Sequence, residues 1–294
     1  MRARRADSRP SRVLAILLPV VILTVTGCSP NLDVDSYSSV RAVLSEQSEA
    51  IGLPLDDYLM TSSDESAAQA ANFILMNACM EESGLEYELG KIDWSDVGGL
   101  PDRRYGLWSA DNAARYGYNI PTDAAVADAY ATVDEKSEDE TYYNSSMNCV
   151  QSIDAVPIIR ADYEGDANVT NLTEVATRGV SEAQQYAREQ SEWDAAIDEW
   201  HQCATDAGLT VDASGDEEVW TPRLPATDEE SRVKIAVVDV ACKSQVQLIQ
   251  RLSDLEARYQ AAYIAENEAR LKTLADAKAA ALERIRSIVA QGGS

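Results

Sequence analysis

Cys79-Met-Glu-Glu-Ser-Gly84-Leu85 and Cys203-Ala-Thr-Asp-Ala-Gly208-Leu209 share one pattern, C-x4-G-L, and each closes a stretch with helical periodicity. A glycine is expected where a chain leaves a helix through the left-handed region, because it has no Cβ to clash. Each motif is followed by a loop that holds Trp and Pro: Trp94, Pro101 and Trp108 in the first, Trp220, Pro222 and Pro225 in the second. Each loop leads to another helical cysteine, Met147-Asn148-Cys149 and Val240-Ala241-Cys242. The chain therefore reads as a duplicated unit of helix, Cys, glycine turn, loop and helix with Cys. Four cysteines admit three connectivities. The repeat selects Cys79–Cys149 and Cys203–Cys242, each worth about 2–4 kcal/mol through the loop it closes.

Outward from the second motif the helices are clear. A 4,3 spacing runs through Leu172, Ala176, Gly179, Ala183, Tyr186, Gln190, Trp193, Ile197, Trp200 and Ala204, which predicts one long helix ending at Gly208. Thr227-Asp-Glu-Glu230 reads as a capping box that starts the next helix. No Pro or Gly follows until about Ala290. Leu248, Leu252, Leu255, Tyr259 and Ala262 form one stripe, and Leu271, Leu274, Ala281, Ile285 and Ile288 form another after a phase shift near 262–267. Such a shift predicts a bend or a change of partner helix. Asp254–Arg258, Glu266–Arg270 and Glu268–Lys272 read as i,i+4 pairs on an exposed face. Consecutive long stripes predict an antiparallel helical hairpin stapled by Cys203–Cys242.

The first half is more mixed. Residues 36–50 and 64–83 read as helices, and Ser109 caps a short helix to Arg115. Glu86 to Tyr105 lacks a clear period and has room for a short hairpin. The acid run Asp134, Glu135, Glu138, Asp139 and Glu140 reads as a solvated face. The expected fold is mainly α, with two disulfide-stapled helical modules, 38–160 and 161–294, the second carrying the long antiparallel hairpin.

Ahead of these modules, Arg2, Arg4, Arg5, Arg9 and Arg12 precede an apolar run from Val13 to Val25 that is too short to span a bilayer. The run ends in Val25-Thr26-Gly27-Cys28. This resembles the lipobox of bacterial lipoproteins. The resemblance implies a signal peptide over 1–27, removed after diacylglycerol is attached to the Cys28 thiol, and a short polar tether over 28–37. Acyl chains on Cys28 would anchor the chain to the membrane.

Removing residues 1–27 removes five Arg and one Asp from the 25 basic and 50 acidic residues, leaving 20 against 49 and a net charge of −29. A body this acidic excludes nucleic acid as a partner and is repelled by anionic headgroups. An even number of remaining cysteines outside the cytosol favours disulfides over metal. No CxxC spacing occurs, and His201 is the only histidine.

Chemistry is sparse. No G-x-S-x-G, HExxH, P-loop or GxGxxG motif is present. Acid pairs such as Asp56/Asp57 and Glu81/Glu82 carry no information in a chain with 50 acids. His201 reads as a polar helix residue beside a bridge. Asp162 to Thr170 and Asp212 to Glu218 alternate oxygen side chains around a Gly, but neither has the calcium-loop spacing with a closing Glu, and both read as polar turns. No cofactor, metal or catalytic set is expected. Trp94, Tyr105, Trp108, Tyr116 and Tyr118 form the best recognition candidate, since Trp and Tyr stack on sugars and anchor interfaces. The competing reading is a small core closed beneath a disulfide.

Beyond the lipobox, residues 200–281 resemble a group of uncharacterised actinobacterial membrane-anchored lipoproteins. The resembling parts are Cys203-x4-Gly208-Leu209, Asp239-Val-Ala-Cys242-Lys243, Glu256-x2-Tyr259-Gln260 and Ile264-x-Glu266-Asn267, with Arg104-Tyr-Gly106 and Ala114-Arg-Tyr-Gly117-Tyr118 from the first half. The resemblance implies a Gram-positive cell envelope and carries no activity. The expected function is a non-enzymatic interaction module on the outer face of the cytoplasmic membrane, whose projecting helical hairpin engages an envelope protein as partner. The alternative is a small-molecule or glycan binder that uses the aromatic loop 94–118.

Overall fold

A computed structural model describes residues 32–94, 99–160, 167–211, 220–225 and 228–292. Residues 1–31, with Cys28 and the expected signal peptide, lie outside the described residues, as do 212–218 and the 162–166 part of the two oxygen-rich stretches; the remainder of the first stretch, 167–170, is helical and not a polar turn. Among the described residues the fold is mainly helical: α1 (Ser62–Glu82), α2 (Ala110–Tyr116), α3 (Ala124–Lys136), α4 (Glu140–Ser152), α5 (Ala167–Arg188), α6 (Ser191–Asp206), α7 (Glu229–Gln245) and α8 (Leu248–Gly292). One small antiparallel hairpin joins them, β1 (Val43–Ser45) with β2 (Ala50–Gly52).

Both bridges form as the repeat predicts: Cys79–Cys149 joins α1 to α4, and Cys203–Cys242 joins α6 to α7. The glycine turns form too. Gly84 and Gly208 sit at φ +71° and +84°. The Leu85 N–H donates to Met80 O and the Leu209 N–H to Ala204 O, so both helices end in a Schellman motif.

Several expectations change. The 36–50 segment is not a helix: a 3-10 turn at Asp35–Tyr37 precedes the β-hairpin, so the short hairpin lies here and not in 86–105. Val34 is buried and this turn packs on α8, so the described part of the tether segment, 32–37, is ordered against the body. The helix expected over 172–204 breaks at Glu189-Gln190. Gln190 turns extended, and its side-chain amide donates to Tyr186 O, satisfying a carbonyl freed at the end of α5. The helix expected from Thr227 starts at Glu229, with Asp228 accepting from the Ser231 N–H. It breaks at Val246-Gln247, where Gln247 takes φ +54°. Asp254 does not face solvent. It is buried, accepts from the Ala42 N–H and pairs with Arg41.

The hairpin closes on itself. The Tyr263 hydroxyl donates to Val175 O, the Tyr259 hydroxyl to Glu182, and Arg251 pairs with Glu192 and Glu199, so α5 and α6 run antiparallel to α8. Gly179 marks the closest approach: a Cβ there would lie 2.6 Å from the Tyr263 ring. Leu248 to Ala257 pack in one core with Trp193, Trp200, Tyr105 and the β-hairpin. Tyr263 to Ile285 pack in a second core with α1, α5 and Ile159. The phase shift near 262–267 is where α8 passes from one core to the other. Its two stripes are buried by the chain's own elements, so this hairpin projects no free apolar seam.

Candidate functional site

Loop 102–109 is the point on which the buried polar groups converge. Successive residues bond to different elements, and three buried carboxylates collect its charges and those of α7. Glu49, fully buried at φ +48° in the β1–β2 turn, accepts from the Trp108 and Ser109 N–H groups at 3.0 and 3.1 Å. Its other oxygen accepts from Arg103 and from Asn112. Arg104 forks onto Asp102 and reaches Glu256 on α8 at 3.3 Å. The Tyr105 hydroxyl donates to the same Glu256. The third carboxylate, Asp239 on α7, accepts from Trp200 Nε1 and the Tyr118 hydroxyl, both at 2.9 Å.

Lys243 closes this third group. It is fully buried one helical turn from Asp239, with Nζ 3.2 Å from the carboxylate. Nζ also donates to Leu107 O at 3.0 Å and Trp220 O at 2.8 Å, and lies 5.1 Å from the Trp200 ring centre. Three acceptors for three N–H groups is the pattern of an ammonium ion. Gly106 makes room for it: a Cβ there would meet Trp220 O at 2.6 Å and Lys243 Nζ at 2.8 Å, and its φ is +78°.

Burial dominates the protonation of this network. Desolvation pushes Asp239 and Glu256 above the ordinary carboxylate values, against the pull of Lys243 and Arg104 respectively. Desolvation also pushes Lys243 below the ordinary lysine value, against Asp239. Tyr105 and Tyr118 rise well above 10 through burial and the carboxylates they face. Shifts of this kind often mark reactive groups. Here each shifted group already has its partner inside the chain, and the network ties loop to helix.

The five aromatic candidates are not brought together. Trp94 packs on Phe73 of α1 with ring centres 5.5 Å apart, and its Nε1 donates to Leu89 O. Tyr105 meets Trp193 and Trp220 edge to face at 5.9 and 5.6 Å. Trp108 is buried with Nε1 on Asp102 O, Tyr118 faces Asp239, and Tyr116 is exposed. A depression of about 400 Å³ lies between α2 and α7, walled by Ala110, Val237, Val240 and Ala241, and none of the five lines it. His201 stacks at 4.9 Å on Trp200, and burial pushes its pKa down. No group of three or more metal-binding side chains occurs among the described residues, and no helix among them is long and apolar enough to cross a membrane.

Arg104, Tyr105, Gly106, Asp239, Lys243 and Glu256, which the sequence marks only as parts of motifs without a role, all belong to this network. Glu49 and Arg103 carry no such mark in the sequence. Asp239 had a readable signal, since it interrupts the apolar run Val237-Val238-Val240-Ala241 four residues before a lysine. No protein-family model, no curated protein and no solved structure matches this chain.

Proposed function

We propose that this chain is a lipid-anchored cell-envelope protein, held at the outer membrane face through Cys28, that works as a non-enzymatic interaction module. Its resemblance to actinobacterial lipoproteins, the lipobox and two disulfides fit an oxidising extracytoplasmic site. The observation that carries the module reading is the contrast in polar and apolar groups. The shifted ionisable groups are spent on holding the fold, whereas α4, fixed by a bridge, leaves apolar side chains uncovered on its outer face.

The anchor is tested by labelling cells with an alkyne fatty acid. The native chain should take up label and sediment with membranes, and Cys28→Ala should do neither. The module reading is tested by photo-crosslinkers placed singly at Met147, Val237 and Val43 of the lipidated protein in intact cells. Discrete adducts of protein mass from at least one position are expected; none from any position would end the reading.

A further inference from the structure

We infer that the outer face of α4 docks a cationic amphipathic segment of an envelope protein; this rests on the module reading above and names the partner's chemistry. Tyr143, Met147 and Val150 follow one another at i, i+4 and i+7, one stripe along one side of a helix. They are 51%, 40% and 58% exposed. On the inner side, α4 fully buries only Tyr142 and Cys149, against Met76 and Met80 of α1. So small a core does little to orient a helix, and the Cys79–Cys149 bridge fixes its rotation. The bridge therefore holds the apolar stripe outward.

Charge selects the occupant. Five acids lie within 134–140, immediately before and at the start of α4: Asp134, Glu135, Glu138, Asp139 and Glu140. All are exposed, and none makes an ion pair among the described residues. Asp139 uses one oxygen to cap the Tyr142 N–H. A second copy would bring the same acids and the net charge of −29 of the chain without residues 1–27 against this face. An anionic membrane surface is repelled for the same reason. A helical segment with apolar residues at matching spacing and Lys or Arg at one end meets both features. Its basic end would lie over the N-terminus of α4 and its apolar residues over Met147 and Val150.

The test uses the lipidated full-length mature chain in zwitterionic nanodiscs. Two designed helical peptides with one leucine stripe are compared by fluorescence anisotropy, one with Lys and Arg on its polar face and one with Glu. The cationic peptide should bind and the anionic one should not. Met147→Ser with Val150→Ser should raise Kd roughly tenfold or more, and Val43→Ser on the β-hairpin should leave it unchanged. If the serine pair melts early, Glu138→Gln with Glu140→Gln carries the test: affinity should fall and its salt dependence should flatten. Equal binding of the two peptides, or unchanged Kd in both variant pairs, overturns the proposal. So does a dimer in sedimentation, or attachment to anionic vesicles, that the serine pair abolishes. In cells, crosslinks from Val237 or Val43 with none from Met147 would end this proposal and leave the module reading standing.

Discussion

The two bridges repeat one local design in opposite surroundings. Both follow a C-x4-G-L turn with a left-handed glycine, and their Cα separations are 5.8 and 5.6 Å. Around Cys79–Cys149 the buried cluster is Met76, Met80, Tyr142 and Cys149. Cys242 sits in a core with Trp193, Trp200, Tyr105 and five aliphatic residues of α8, beside the Asp239–Lys243 pair. The chain-entropy cost of an open loop differs little between separations of 70 and 39, about 4 kcal/mol in both cases. What distinguishes the bridges is therefore the native packing around each: Cys203–Cys242 has a large core and a buried ion pair beside it as other means of holding its helices, and Cys79–Cys149 has few.

The largest expected effect tests those other means. Lys243→Met should destabilise by about 3–5 kcal/mol, because Asp239 is left buried and charged without its counter-ion. Pairing it with Asp239→Leu should cost less than the sum of the two single changes. In the first module the corresponding change, Lys136→Met, removes a partly exposed ion pair with Glu88 and should cost no more than about 1 kcal/mol. Urea unfolding of all four variants measures the contrast. A Lys243→Met cost no larger than that of Lys136→Met would mean that buried charge does not hold the second module.

Next comes the bridge itself. Cys79→Ser with Cys149→Ser should release α4 locally, so amide exchange across 140–152 should approach that of an unfolded segment while α5 and α8 stay protected. Cys203→Ser with Cys242→Ser should lower global stability by up to about 4 kcal/mol but keep α6 and α7 protected under native conditions. Equal protection of α4 with and without its bridge would remove the comparison, and with it the fixed platform.

The repeat was legible because a glycine turn and a cysteine on a helix are local features, and two copies check one another. The register of α8 was legible because its stripes keep a 4,3 period on both sides of the shift. The breaks were not: Gln190 and Gln247 are neither Gly nor Pro, and tertiary packing outweighs their helical propensity. Residues 43–52 misled because three-residue strands show no period. Of the site, the bridges could be read, whereas Arg104-Tyr-Gly106 carried only a resemblance and no role. Glu49, Asp254 and Glu256 could not, since nothing in sequence separates a buried acid from the many solvated ones until the fold supplies its donors.

The smallest effect separates the modules by pH. In the first, hydrogen bonds from Lys136 and Lys91 hold the Glu88 carboxyl below its ordinary 4.5. The stability it contributes is complete above pH 4.5 and is lost as pH falls through the lower folded value. In the second, burial holds Asp239 and Glu256 above their ordinary values. Those two take up protons in the folded chain before the unfolded one does, so acid relieves part of their desolvation cost. Acidification should therefore loosen the first module ahead of the second, by under about 1 kcal/mol for the exposed pair after solvent screening. Alkali acts on both sides: Tyr87 and Tyr142 beside the first bridge, like Tyr105 and Tyr118 on the buried network, are raised above 10 by burial, and each contributes stability that is present below pH 10 and lost as pH rises beyond it. Exchange protection of 86–94 and 140–152 against 229–245, corrected for intrinsic rates, reads the acid difference between about pH 4 and 7, and at about pH 10.5 both regions should lose protection. Parallel loss in the two modules in acid would show that they open as one unit despite their different cores.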